Sequence, residues 1–158
     1  MICFDIEIAD ERWASCPVEE VTANVARILS GALSVEASYG DVSALFTNDS
    51  EVHGLNLEWR GKDKPTNVLS FPADDFPVGE GETPPLGDLA LAYETCAREA
   101  AEKNIPFAHH LTHLVLHGVL HLLGYDHIDE EEAEEMETLE IRLLSQLDIA
   151  DPYSDGSA

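Results

Sequence analysis

The chain has 158 residues, 44% of them hydrophobic and 25% charged, and sets eight Lys and Arg against 32 Asp and Glu for a formal net charge of −24. That length suits one domain able to bury about two-thirds of its unfolded surface. No apolar stretch approaches the ~20 residues of a membrane span, and the acidity speaks against a broad nucleic-acid-binding surface, which usually leaves a basic footprint.

In chain order, Ile2 to Ile8 alternates apolar and polar residues, which predicts a strand. Acids appear by residue five with no basic region before them, so this start does not read as a secretory signal. Val18 to Leu33, after Pro17, predicts an amphipathic helix, and Val42 to Thr47 a second strand. Asp49 or Ser50 could cap a helix running to Trp59 and Arg60. Val68 to Phe71 predicts a third strand, and the Pro- and Gly-rich residues 73–85 a loop. Leu86 to Tyr93 predicts a fourth strand, hairpinned to the third across that loop. Glu94 to Lys103 predicts a helix, Pro106 opens another that is apolar nearly all round, and Glu130 to Leu147 predicts the last. The expectation is a single α+β domain over residues 1–150, a mixed four-stranded sheet packed with helices, with 151–158 a flexible tail. Cys3, Cys16 and Cys96 are odd in number and scattered, which suggests no disulfide framework and a cytoplasmic, reducing location.

The chemistry is concentrated in His117-Gly-Val-Leu-His121-Leu-Leu-Gly124-Tyr-Asp-His127. Residues four apart on a helix share a face one turn from each other, so His117 and His121 can aim two imidazoles at one point. Gly124 can end the helix, and His127 can return a third nitrogen after the turn. Three histidines leave one position of a tetrahedral ion open, the composition of a catalytic zinc site with one zinc per chain. A lone histidine among leucines is ordinarily a core or surface residue, and His53 is read that way. His113, His109 and His110 lie near enough to support a metal site, but solvated or core-edge roles explain them better.

Helical zinc peptidases carry a glutamate directly after the first histidine as general base. Here that position is Gly118, so the zinc geometry is kept and the peptidase base is absent. A second segment, from Leu55-Asn56 to Phe71-Pro72, holds Arg60, Lys62 and Lys64, three of the eight basic residues. A guanidinium matches phosphate oxygens in two-point geometry, so Arg60 on a local basic site could meet a phosphate, while an ordinary polar loop with no partner explains the segment as well. Eight of the twelve residues from Asp129 to Glu140 are acidic and read as a solvated helix face.

Taken together, Leu55-Asn-x-x-Trp-Arg, Lys-Pro-Thr-Asn-Val-Leu-Ser-Phe-Pro, Leu86-Gly-Asp-Leu and the histidine run resemble the YbeY family of bacterial endoribonucleases. The likeness runs in order from about residue 55 to His127 and continues more loosely through Met136 and Glu140. It implies a zincin-like fold, zinc held at His117, His121 and His127, a functional arginine at Arg60, and cleavage of single-stranded RNA. It further implies maturation of ribosomal RNA, notably at the small-subunit 3′ end, and ribosome quality control. The partners implied are single-stranded RNA, ribosomal RNA and the ribosome, with no membrane; the acidity suggests basic ribosomal proteins as further ones.

Attack on phosphorus could come from a metal-activated water, which would accept a 2′-deoxy substrate, or from the ribose 2′-hydroxyl, which would not. No sequence feature assigns the proton donor to the leaving oxygen; Asp126 and Asp88 are the nearest candidates, and Asp126 reads better as a residue that holds a histidine or caps a turn. Two rival functions remain at this level: a metallopeptidase, which Gly118 opposes, and a non-catalytic ribosome-assembly factor with a structural metal.

Overall fold

The computed structural model of the protein describes residues 2–32, 40–72, 85–123 and 130–149. Its elements are β1 (Ile2–Ile8), α1 (Val18–Ala32), β2 (Gly40–Thr47), α2 (Asp49–Arg60), β3 (Val68–Pro72), β4 (Pro85–Ala92), α3 (Tyr93–Lys103), α4 (Phe107–Leu122) and α5 (Glu130–Ser145). The strands form one mixed sheet in the order β1-β2-β4-β3. β1, β2 and β4 run parallel, and β3 pairs antiparallel with β4, the hairpin expected from the sequence.

Alternation along the strands gives the sheet two different faces. Ile2, Val42, Ala44, Phe46, Leu89 and Leu91 belong to the larger core, into which α1, α4 and α5 pack. Leu69, Ala90 and Ala92 project to the other side, where Val52 and Leu55 of α2 meet them. α4 anchors the larger core: Leu111, Val115, Leu116, Val119 and Leu120 are fully buried, each stabilising by about 1.5–3 kcal/mol.

Close approach of α4 to the sheet depends on Gly118. A Cβ there would lie 2.7 Å from Leu89 Cδ2 and 3.3 Å from Ser70 Oγ, so β3 and β4 occupy the space a side chain would need. Ser70 Oγ donates to the Gly118 carbonyl at 3.4 Å across this contact.

Three local features differ from the sequence expectations. A 3-10 turn at Glu11–Ser15, capped by Asp10, precedes α1 and buries Trp13 completely, its indole N–H donating to Thr47 O at 2.7 Å. The α2 cap is Asn48, which accepts from Glu51 N at 2.9 Å, rather than Asp49 or Ser50. Asp49 instead accepts from Thr95 N and Thr95 Oγ1 at 3.1 and 2.8 Å, capping α3, whose own Ala92 has no side chain for the purpose. No helix among the described residues is long and apolar enough to cross a membrane.

Candidate active site

The histidine face of α4 behaves as the four-residue spacing requires. His117 and His121 lie one turn apart, and their Nε2 atoms face each other at 3.0 Å. Two nitrogens bound at 2.0–2.1 Å to one tetrahedral ion sit about 3.3 Å apart, so the pair is within a few tenths of an ångström of a ligand pair. Behind it, α5 delivers Glu140, fully buried. The Glu140 carboxylate accepts from His117 Nδ1 at 2.6 Å and from His113 Nε2 at 2.8 Å. A neutral His117 therefore carries its proton on Nδ1 and directs the Nε2 lone pair toward His121.

His113, His117 and Glu140 also form a group whose ligand atoms lie within 4.8 Å of one another and could hold a metal ion. The two sets share His117 but use opposite sides of its ring. The side toward His121 opens into a cavity of about 740 Å³, whereas neither His113 nor Glu140 lines it.

Arg60, Lys62 and Lys64 line the same cavity as His117 and His121. Arg60 ends α2, and Gly61 follows in the left-handed conformation at φ 69°, with Gly61 N donating to Leu57 O and Lys62 N to Asn56 O. Asn56 is buried beneath this turn and donates its Nδ2 to Lys64 O at 2.8 Å. One amide thus ties the basic loop to the helix that carries Arg60.

A second polar network holds the opposite wall. Asn67, also lining the cavity, accepts from Val68 N at 2.6 Å and donates to Glu99 Oε1 at 3.0 Å. His110 Nε2 meets the same Glu99 oxygen at 3.0 Å. Burial holds the His110 imidazole below its ordinary value, ahead of the opposing pull of Glu99. Burial alone would raise Glu99, but hydrogen bonds from Asn67 and His110 outweigh it and keep the carboxyl below its ordinary value. The pair is therefore a neutral imidazole donating to a carboxylate.

A family model described as Endoribonuclease YbeY matches residues 5–148. The chain belongs to the endoribonuclease YbeY family. The Endoribonuclease YbeY of Erythrobacter litoralis is 51% identical, with 95% of this chain and 98% of that relative covered. That of Sinorhizobium medicae is 48% identical over 98% of both chains. The solution structure of a Thermotoga maritima protein superposes with a TM-score of 0.58 and 23% identity, covering 99% of this chain and 95% of that one. At that identity the likeness concerns the fold alone, which is the α+β arrangement expected.

Of the YbeY-like residues singled out in the sequence, Arg60, His117 and His121 come together in one cavity. His127 and Asp126 lie outside the described residues. Asp88 does not join the histidines; it lines a separate groove with Trp59. His53 pairs with Asp63 away from the cavity. The sequence reading missed the role of Glu140, which was placed on a solvated acidic face. The signal was available: Glu140 follows Met136 by four and precedes Leu143 by three, on the helix's buried stripe.

Proposed function

We propose that the protein is a single-strand-specific, zinc-dependent endoribonuclease that acts in ribosomal RNA maturation, at the small-subunit 3′ end, and in ribosome quality control. The observation that carries this reading is the shared cavity: an imidazole pair facing at 3.0 Å and a guanidinium with two lysines line one space. Family relatives named endoribonucleases, matched over nearly their full length, support RNA as the substrate.

His117 and His121 would hold the zinc, with His127 as third ligand on the strength of the sequence pattern. Imidazole nitrogens in a three-ligand set suit zinc, and Glu140 meets the usual need for a carboxylate behind a ligating histidine. When bound, zinc supplies Lewis-acid polarisation of a phosphate oxygen and an acidified water. The His113, His117 and Glu140 set is the weaker candidate, because using Glu140 as a ligand would take away the partner that orients His117.

Arg60 would bind the scissile phosphate and stabilise the charge that grows on its oxygens. Lys62 and Lys64 add positive charge along the strand's path, confining the basic site to one cavity of an acidic body. Gly118 leaves no side chain for a peptidase base, and Leu89 and Ser70 fill the space one would take. The partners are single-stranded RNA, ribosomal RNA and the ribosome, with a cytoplasmic location.

The test is digestion of an end-labelled RNA carrying single-stranded and duplex segments by zinc-loaded protein. Cuts confined to the single-stranded segments are expected. Tight RNA binding without cuts would favour a non-catalytic assembly role.

A further inference from the structure

The sheet has a second groove, of about 490 Å³, on the face that α2 covers only in part. Its position follows from strand register. Asp5 pairs with Ser43, Ser43 with Asp88 and Asp88 with Phe71, so one row of side chains crosses all four strands on a single face. The next row holds Leu45, and Leu55 descends from α2 to form an apolar floor. Trp59 stands over this groove with 67% of its surface exposed, the most exposed large apolar side chain described.

The groove lies beside the cavity that Arg60 lines. Phe71 lines both, and Trp59 directly precedes Arg60 on α2. The chemistry changes sharply between them: Arg60, Lys62 and Lys64 on one side, Asp5, Glu7 and Asp88 on the other. A phosphate backbone is repelled by that acidic rim, so whatever enters beside a bound phosphate must present an uncharged planar face and hydrogen-bond donors.

We infer that this groove is a nucleobase subsite, in which a base flanking the bound phosphate stacks on Trp59 and donates to the rim carboxylates, with guanine preferred. A carboxylate accepts only, and guanine alone among the four bases offers two adjacent donors, N1–H and N2–H, on its Watson–Crick edge. Uracil offers one donor between two carbonyl oxygens, which repel a carboxylate. Stacking gives sequence-tolerant affinity, and the acidic rim gives the preference. The subsite deepens the endoribonuclease reading and rests on it for its role in cleavage.

The experiment separates the two. The chain has two tryptophans, and Trp13 is fully buried, so quenching of emission by an added ligand reports on Trp59. Guanosine 5′-monophosphate and uridine 5′-monophosphate are the probes, since neither has a diester to cleave, and inorganic phosphate is the control. The guanine nucleotide is expected to quench saturably and about tenfold more tightly than the uracil one, with no quenching by phosphate. Asp88→Asn should erase that preference. In cleavage of single-stranded RNA, Trp59→Ala should raise KM about tenfold with kcat little changed, and Trp59→Phe should restore KM. No quenching by either nucleotide, or an unchanged KM in Trp59→Ala beside an active wild type, would overturn the subsite. Equal quenching by the two nucleotides would overturn the guanine preference. Quenching by the guanine nucleotide in a protein that cuts no RNA would leave the subsite standing and remove the endoribonuclease reading.

Discussion

Glu140, fully buried on α5, accepts a 2.6 Å hydrogen bond from His117 Nδ1 and so fixes which nitrogen of His117 faces His121. Its second oxygen accepts from His113 at 2.8 Å, so one carboxylate orders two imidazoles on α4. An acid from a run that reads as a solvated face in the sequence therefore stands behind the candidate metal ligands. Replacing it by an amide keeps its shape and removes its charge. Glu140→Gln should weaken zinc affinity about 10- to 100-fold, measured by competition with a coloured chelator. Unchanged affinity would show that the carboxylate only fills space.

Arg60 is exposed at the end of α2, and no hydrogen bond or ion pair of its side chain is seen among the described residues. Arg60→Ala should therefore leave thermal stability and zinc content unchanged while lowering kcat by about 10²–10³, the usual cost of removing one transition-state donor. Arg60→Lys should recover only part of this, because an ammonium lacks the two-point geometry. Equal loss of stability and activity would place Arg60 in the scaffold instead.

Gly118 is a packing position. A methyl group there meets Leu89 at 2.7 Å, so Gly118→Ala should destabilise by about 1–3 kcal/mol, read as a lowered urea midpoint. Gly118→Glu should be worse and should not create peptidase activity.

The His110–Glu99 pair gives stability a defined pH dependence. His110 is held below its ordinary value of 6.5, so as pH falls past that value the unfolded chain takes up a proton that the folded chain resists. Glu99, held below its ordinary 4.5, contributes stability above that value, which is lost as pH falls through its lowered one. Both act in the same direction: stability falls on acidification, first from His110. His110→Gln keeps a donor for Glu99 and removes the titration. It should lose less Tm than the wild type between pH 7.5 and 5.5, by thermal melts at both values. An identical loss would assign the acid sensitivity to other groups.

Much of this was legible in the sequence because the signals are local. Helix spacing located α4 and the His117–His121 pair, and alternation in β1 and a short bounded apolar run in β3 located those strands within about one residue. What escaped depended on contacts between distant segments. Asp49 reads as a cap for its own helix, but Asn48 takes that place and leaves Asp49 to cap α3, 46 residues away. Asn56 and Asn67 carry no local sign of their structural role, yet each fixes a wall of the cavity through a partner in another segment. The placement of Asp88 turned on strand register: Leu89 faces α4, so Asp88 must face the other way, out of the histidine cavity.

The most direct test of the account compares zinc-loaded wild type with His121→Ala, prepared identically, for bound zinc and for cleavage of an end-labelled single-stranded RNA. About one zinc per chain and cleavage are expected of the wild type, and neither of the variant. Full zinc in the variant, or equal cleavage by both proteins, would contradict it.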